Sequence, residues 1–169
     1  MELGFSKKNA DVRKEWLQNY NPNLCLDHNN KQIKVSDFIN KELIHFSNSD
    51  NIRSIPSVMD GLKPSQRKIL YACFKRNLTT EIKVAQLAGY VAEHSAYHHG
   101  EMSLCSTIVA MAQNYVGANN FNILEPLGQF GTRHLNGKDA ASARYIYTKL
   151  NNLTRYLFNE ADDHIVEYC

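Results

Sequence analysis

The sequence predicts an α+β fold that is mainly helical, with short strands toward its carboxyl end. Two observations predict this class. Apolar residues recur at helical spacing in several segments before residue 117, as in Val84, Leu87, Ala88 and Val91. Beyond residue 117 the chain is rich in glycine, and residues 144–150 combine aromatic with β-branched side chains, which favours a strand.

The first third of the chain is predicted to hold two helices separated by a loop. Residues 5–20 have the apolar spacing of a short amphipathic helix, and residues 21–34 carry turn-forming residues. Ser36 or Asp37 is expected to cap a second helix that runs to about residue 46. Residues 47–63 are predicted to be irregular.

The middle of the chain predicts two further helices joined by a tight turn. Pro64 suits the first turn of a helix, where a missing N–H costs nothing. After a polar turn over residues 77–80, the next helix is expected to begin near Glu81. This is the helix-turn-helix pattern, and its second helix presents Lys83 and Gln86 outward.

The last third predicts one more long helix and then irregular structure. A helix is expected from Glu101 to Gly117, followed by a loop-rich region with short strands. Residues 144–150 are predicted to form a strand, and another helix is expected to start at Leu153. Residues 164–169 have the composition of a strand cut short.

The charge of the chain is unevenly distributed. The formal net charge of its 169 residues is +2, but residues 52–91 hold seven basic residues against two acids. The basic residues are Arg53, Lys63, Arg67, Lys68, Lys75, Arg76 and Lys83. Such a segment fits a phosphate-binding surface, and the alternative is an ordinary solvated face. The four cysteines form no CxxC pair, which indicates a reducing compartment, and no apolar run reaches membrane-spanning length.

An arginine directly precedes a tyrosine at Arg144 and Tyr145. A phenol attacks a phosphodiester only if the growing charge is stabilised, and a guanidinium fork pairs with two phosphate oxygens. Tyr147 would share a strand face with Tyr145 by its period of two, so the preceding arginine favours Tyr145. His94 and His98 have the spacing of a helical metal pair, but no cysteine or acid completes that set, so no metal site is predicted within this chain.

Ordered blocks along almost the whole chain resemble those of eukaryotic and viral type IIA DNA topoisomerases. They include Tyr97-His98-His99-Gly100-Glu101, the run from Gly128 to Arg133, and Arg144-Tyr145-Ile146. The other blocks are residues 5–8, 13–17, 37–44, 46–50, 53–56, 60–61, 63–64, 66–68, 73–77, 83–89, 102–104 and 137–139.

The resemblance implies a winged-helix domain whose strands form the wing and the catalytic loop. It implies that Tyr145 is the breakage–reunion nucleophile, that Arg144 stabilises the pentavalent phosphate, and that His98 or His99 has an electrostatic or proton-handling role. The side chains expected to contact DNA are Lys63, Arg67, Lys68, Lys83, Gln86, Gln129, Arg133 and Lys138.

The resemblance also implies a larger enzyme that binds double-stranded DNA as a homodimer. Mg²⁺ is expected on an upstream nuclease-like (Toprim) domain and ATP on another domain, and the expected location is the nucleus, or the host cell or virion for a viral protein. The expected division is residues 1–20 as the end of the Toprim domain, 21–34 as linker, 35–150 as the breakage–reunion domain, and 151–169 as the start of a DNA-bending (tower) domain.

Two other functions remain open at this point. One is a winged-helix module that binds DNA without chemistry, and the other is a module whose basic face meets an acidic protein. Neither needs the Arg144-Tyr145 pair or the His98-His99 segment. The residues alone therefore favour the cleavage function without excluding the other two.

Overall fold

The computed structural model describes residues 2–29 and 31–163, and it divides the chain into two compact units, Met1–Lys63 and Pro64–Cys169. Both units are mainly helical, and the second also contains a small antiparallel sheet. The predicted α+β class is therefore confirmed. Within the described residues, no helix has the length and apolar character needed to span a bilayer.

The first unit consists of two helical segments. Its elements are α1 (Glu2–Phe5), a 3₁₀ turn (Lys7–Asn9), α2 (Ala10–Gln18), α3 (Val35–Phe38), a π-helical segment (Ile39–Leu43) and α4 (Ile44–Ser54). Polar contacts join the two segments: Trp16 Nε1 donates to Asn40 Oδ1 at 3.0 Å, and the Tyr20 hydroxyl lies 3.1 Å from His45 Nδ1.

The helix bounds predicted for this unit are partly wrong. The 5–20 helix is interrupted, because Ser6 caps the 3₁₀ turn by accepting the Lys8 N–H. Neither Ser36 nor Asp37 caps the next helix, whose N-cap is Lys34. That helical run continues to Ser54, so within residues 47–63 the irregular part begins only after that residue.

The described residues of the second unit form four α-helices, two 3₁₀ turns and three strands. They are α5 (Pro64–Lys75), β1 (Ile82–Lys83), α6 (Val84–His94), α7 (Glu101–Ala112), β2 (Leu124–Leu127), a 3₁₀ turn (Arg133–Leu135), β3 (Tyr147–Leu150), α8 (Thr154–Leu157) and a 3₁₀ turn (Glu160–Asp162). The sheet has the order β1-β3-β2, and both pairings are antiparallel.

The core of the second unit lies among α5, α6, α7 and the sheet. The predicted stripe of α6 is fully buried, which confirms the helical period read from the sequence. The large core side chains are Ile69, Leu70, Val84, Leu87, Val91, Leu104, Ile108, Leu124 and Ile146. Cys73 belongs to this core, and burial raises the pKa of its thiol to about 12.

The order of elements corrects the predicted helix-turn-helix. The second helix does not begin near Glu81, because residues from there to α6 include strand β1. Ile82 pairs with Thr148 and Lys83 with Tyr147, so this two-residue strand is created by a partner far along the chain. Helices α6 and α7 follow one another without an intervening strand, and residues 95–100 join them.

Three bounds near the carboxyl end also differ from prediction. Helix α7 ends at Ala112 rather than Gly117, because the Asn119 side chain donates to the carbonyls of Ala110 (2.7 Å) and Gln113 (2.8 Å). The predicted 144–150 strand starts only at Tyr147, where pairing with Leu127 begins. The predicted strand over residues 164–169 lies outside the described residues.

Candidate active site

A turn over residues 142–146 holds the tyrosine that the sequence singles out. The Tyr145 N–H donates to the Ser142 carbonyl at 2.9 Å, which closes the turn. The first two N–H groups of α6 donate to carbonyls on either side, Ala85 to Ala143 and Val84 to Ile146, each at 3.0 Å. These N–H groups belong to the helix terminus and have no partner inside the helix. The hydrogen bonds that fix the turn to α6 are therefore main-chain bonds.

The same turn separates a buried side chain from two exposed ones. Ile146 is buried in the core, whereas Arg144 is exposed and Tyr145 is 78% exposed. The expectation that Tyr145 and Tyr147 share a strand face is wrong, since Tyr145 precedes β3. Tyr147 is half-buried, pairs with Lys83 in the sheet, and has the Lys83 ammonium 5.9 Å from its ring centroid. Of the two phenols, that of Tyr145 is the accessible one.

The wing, which we define as residues 128–141 between β2 and the tyrosine turn, is bonded to itself. The Ala141 N–H donates to the Gln129 carbonyl and the Gly137 N–H to the Thr132 carbonyl, each at 2.9 Å. The Thr132 N–H donates to Asp139 Oδ1 at 2.8 Å, and this bond lowers the pKa of the Asp139 carboxyl. The wing is thus an ordered loop.

Three of the predicted DNA-contacting residues lie on this wing. Gln129, Arg133 and Lys138 are all exposed. The Gln129 amide oxygen accepts the Gly131 N–H at 3.3 Å, so its side chain partly folds back onto the loop. The structure therefore brings these residues onto one segment that leads directly into the tyrosine turn.

The histidine segment, residues 95–100, follows the opposite end of α6. His98 and His99 are exposed, and the Tyr97 ring packs against the core while meeting the His99 ring edge-on at 5.4 Å. The Lys68 ammonium donates to the Ala96 carbonyl at 3.2 Å. Among the described residues, no hydrogen bond joins His98 or His99 to the tyrosine turn.

The metal pair considered at His94 and His98 does not form a helical pair. Helix α6 ends at His94, and the Nδ1 atom of His94 lies 3.0 Å from the Tyr90 carbonyl oxygen. Within residues 2–29 and 31–163, no group of three or more histidine, cysteine or acidic side chains is arranged to hold a metal ion.

The remaining predicted DNA contacts are spread over several elements. Arg67 and Lys68 lie half-buried on α5, and Gln86 is exposed on the first turn of α6. Lys83 lies on β1 rather than on a recognition helix, which corrects its predicted placement. Lys63 is half-buried at the end of the first unit. Lys68 also has a role that the sequence did not indicate, because it binds the histidine segment.

A cavity of about 340 Å³ lies between α7 and the wing. Its lining includes Cys105, Val109 and Gln113 from α7 and the residue that follows it, and Lys138 and Ala143 from the other side. Burial, and then the charge of Glu101, raise the pKa of the Cys105 thiol. No sequence pattern indicates this cavity or Gln113, because both depend on contacts between distant segments.

Comparisons with known proteins identify the family. Residues 53–169 match the family model described as the DNA gyrase/topoisomerase IV A subunit, which covers more than half of the chain. Residues 1–51 match the model described as the C-terminal associated domain of TOPRIM. The chain belongs to the type II DNA topoisomerase family. The family resemblance read from the sequence is thereby confirmed.

Similar members of this family are eukaryotic. DNA topoisomerase 2 of Saccharomyces cerevisiae is 63% identical over 168 residues, which covers 99% of this chain and 12% of that protein. DNA topoisomerase 2-alpha of Homo sapiens is 56% identical over 180 residues, again covering 99% of this chain and 12% of the relative. The chain therefore spans 12% of the length of these relatives.

A solved structure of the type II topoisomerase family has the same fold. It is described as the Plasmodium falciparum topoisomerase II DNA-binding, cleavage and re-ligation domain. The TM-score is 0.81 at 60% sequence identity, over 98% of this chain and 23% of that chain. The predicted α+β winged-helix fold is confirmed by this match and by the three-stranded sheet.

Proposed function

We propose that this chain is the DNA-binding and cleavage segment of a type II DNA topoisomerase, with Tyr145 as the nucleophile. One observation carries the proposal: an exposed phenol stands beside an exposed guanidinium on a turn that main-chain bonds hold in place. Plain DNA binding needs no such pair. The names of the similar proteins, which include a DNA-binding, cleavage and re-ligation domain, support the same function.

The proposed reaction is a reversible transfer of a phosphoryl group. The Tyr145 oxygen attacks the DNA phosphorus, a new O–P bond forms, and the 3′ oxygen of the preceding nucleotide leaves with a proton. The cut strand stays joined to Tyr145 through its 5′ phosphate. The phosphotyrosine ester is close in energy to the bond it replaces, so the same groups reseal the strand without ATP.

Arg144 and the histidine segment have separate proposed roles in that step. Arg144 neutralises charge on the pentavalent phosphate, for which a planar guanidinium is well shaped. A phenol has an ordinary pKa of about 10, so attack at neutral pH requires that its proton be taken up. His98 or His99 is proposed to handle a proton or charge near the phosphate.

The proposed partner is double-stranded DNA, bound through its phosphates. The side chains proposed to bind it are Lys63, Arg67, Lys68, Lys83, Gln86, Gln129, Arg133 and Lys138. Most of these are cations, which position a duplex without reading its sequence. We further propose that the active form is a nuclear homodimer, in which two such tyrosines cut both strands so that a second duplex passes through.

The full reaction is proposed to need further segments of a longer protein. The described residues offer no three-ligand metal cluster. Following the family resemblance, Mg²⁺ is proposed to bind a Toprim domain of that longer protein and ATP a further domain. The proposed domain boundaries lie at residues 20, 34 and 150 of this chain. Alone, the 169-residue chain is expected to bind DNA weakly and to leave supercoils unrelaxed.

A trapping assay tests the proposed nucleophile. The full-length protein is mixed with Mg²⁺ and a suicide duplex labelled at the 3′ end of the cut strand, then denatured. Labelled protein is expected from the wild type and from the Tyr147→Phe variant, which removes the neighbouring half-buried phenol. None is expected from Tyr145→Phe. If the wild type bound DNA but formed no adduct, the proposed cleavage function would be contradicted and a module that only binds DNA would be favoured.

A salt titration tests the partner. If several phosphates are neutralised, the logarithm of DNA affinity falls steeply and linearly with the logarithm of salt concentration. A flat dependence would instead favour a basic face that binds an acidic protein.

A further inference from the structure

The wing has two limbs, one that contains Phe130 and one that contains Gly137. Gln113, the first residue after α7, makes contact with both. Its side-chain Nε2 donates to the Phe130 carbonyl at 2.8 Å and lies 3.5 Å from the Gly137 carbonyl. Its Oε1 accepts the Tyr115 hydroxyl at 3.3 Å. One primary amide thus uses its donor group on two carbonyls that lie seven positions apart along the wing. Among the described residues outside the wing, no other side chain is hydrogen-bonded to both of these carbonyls; Phe130 and Ala141 of the wing pack against the core to which α7 contributes.

Gly137 leaves the space that this bridge occupies, and Gly131 allows the close approach of the main chain at Gly137. A Cβ added to Gly137 would lie 2.3 Å from Gln113 Nε2 and 2.7 Å from the Tyr115 hydroxyl. A Cβ added to Gly131 would lie 2.5 Å from the Gly137 Cα, so the two limbs touch through main-chain atoms. Both residues have positive φ, 100° at Gly131 and 76° at Gly137. The wing is therefore shaped around the Gln113 side chain.

The helix side of the bridge is also fixed. The Asn119 side chain donates to the Gln113 carbonyl at 2.8 Å and to the Ala110 carbonyl at 2.7 Å. The Gln113 N–H completes the last turn of α7 by donating to the Val109 carbonyl. The main chain of Gln113 is thus held to a buried helix, while its side chain reaches the wing.

The second limb of the wing continues directly into the tyrosine turn. It returns from Gly137 through Ala141, whose N–H donates to the Gln129 carbonyl, and reaches Ala143, whose carbonyl accepts from α6. Only four residues separate Asp139 from Arg144. A shift of the wing relative to α7 therefore moves the main chain that enters the turn.

We propose that Gln113 is a positioning residue for the cleavage step: it fixes the wing to α7 and thereby aligns the Arg144–Tyr145 turn with the wing cations Arg133 and Lys138. This inference rests on the proposed function. Gln113 does not touch DNA in it; the residue acts through the geometry of the groups that do. Misplacement of reacting groups by about 1 Å costs up to roughly 10²-fold in rate, which sets the size of the expected effect.

The first arm of the test measures structure in the 169-residue chain. Gln113→Glu keeps the shape and the acceptor for Tyr115 but removes the donor, and Gln113→Met removes both without adding charge. Both variants are expected to speed hydrogen exchange at the Gly137 and Ala141 amides while the core amides of α6 stay protected. Unchanged exchange at those two amides would overturn the proposal, whatever the function of the chain.

The second arm measures chemistry in the full-length protein at saturating DNA. Both Gln113 variants are expected to lower the rate of Tyr145 adduct formation by roughly 10–100-fold, while DNA affinity, which depends on charges that remain, changes little. Gln18→Glu, an exposed residue at the end of α2, is the control for added charge and is expected to keep the wild-type rate. A parallel fall of affinity and rate, or no fall, would contradict positioning.

A pH profile distinguishes loss of the donor from a general structural defect. In the Gln113→Glu variant the carboxyl faces two carbonyl oxygens, which disfavour its charged form and raise its pKa above the ordinary value of about 4.3. Protonation restores an O–H donor, so the rate relative to wild type should rise as pH falls from about 7 to about 5. Gln113→Met should show no such recovery. A wild type without Tyr145 adduct would overturn the proposed function, and the exchange arm would still decide whether Gln113 holds the wing.

Discussion

The segments at the two ends of helix α6 both carry exposed polar side chains, but different sets of hydrogen bonds hold them. At its start, the tyrosine turn is bonded by main-chain N–H groups of Val84 and Ala85. At its end, the histidine segment combines main-chain bonds, such as that from the Ser95 N–H to the Val91 carbonyl, with two side-chain bonds: the Lys68 ammonium donates to the Ala96 carbonyl, and the Ser95 hydroxyl donates to the Val91 carbonyl at 2.6 Å.

This difference predicts which substitutions change only the chemical step and which change the position of a segment. Main-chain bonds do not depend on side-chain identity, so substitutions of the exposed side chains of the tyrosine turn, Ser142 and Arg144, should act only through the chemistry of the group removed. Side-chain bonds fail when one residue changes, so the histidine segment should be sensitive to substitution of Lys68 or Ser95 through these bonds, apart from any contact with DNA. Substitutions at the two ends of α6 therefore test the comparison directly.

The largest effect is expected at Arg144. Arg144→Ala in the full-length protein should lower the rate of adduct formation by on the order of 10²–10³, the usual loss for one well-placed electrostatic donor. Ser142→Ala, in the same turn, should be silent because only its carbonyl is used. Single-turnover trapping at saturating DNA measures both. If the serine variant lost as much rate, the turn would not be held by its main chain.

A smaller effect is expected at Lys68. Lys68→Met removes the donor to the Ala96 carbonyl and should speed hydrogen exchange at the neighbouring Ser95 amide, which donates to the Val91 carbonyl, by about two- to tenfold, the value of one exposed charge-assisted bond. Lys68→Arg keeps a donor and should exchange nearly as slowly as wild type. Lys75→Met, on the same helix, is the matched control. Equal exchange in the two methionine variants would show that Lys68 does not hold this segment.

A still smaller effect is expected at Ala96. Ala92 provides a matched control, for which the change in the free energy of unfolding should have the opposite sign. Its φ is +47°, a left-handed conformation that costs an alanine about 1–2 kcal/mol. Ala96→Gly should raise the free energy of unfolding by about 0.5–1 kcal/mol after the entropy cost of glycine. Ala92→Gly, exposed inside α6, should lower it by about 1 kcal/mol. Denaturant unfolding of the chain measures both, and equal signs would contradict the assigned strain.

The parts of the fold that the sequence predicts are those set by local periodicity. Helix α5 begins at Pro64 as expected, and the stripe from Val84 to Val91 is buried. Strand β1 was not predicted. Its two residues form a strand only because they pair with β3, and no local sequence pattern indicates that partner. The helix through residues 47–54 escaped for another reason: its serines and asparagines have weak helix propensity, and the helix continues from buried Ile44.

The candidate site divides in the same way. Arg144 and Tyr145 could be found from the sequence because adjacent residue types and the family resemblance both mark them. Lys68 was predicted as a phosphate contact, and its bond to Ala96 could not be foreseen because it spans 28 positions of the chain. Gln113 had no local signal, since its role comes from Gly137 and the Phe130 carbonyl, which approach it from the wing.

The smallest effect is expected at Asp139, on the wing that leads into the tyrosine turn. The Thr132 N–H lowers the pKa of this carboxyl below its ordinary 3.8, with the charge of His134 acting in the same direction. A lowered folded-state pKa adds stability at pH values above 3.8, and this contribution is lost as pH falls through the folded-state pKa. The Thr132 amide shift followed by NMR should therefore titrate with a midpoint below 3.8. In Asp139→Asn that titration should vanish; a Thr132 amide titration that persisted in this variant would show that the Asp139 carboxyl does not control it.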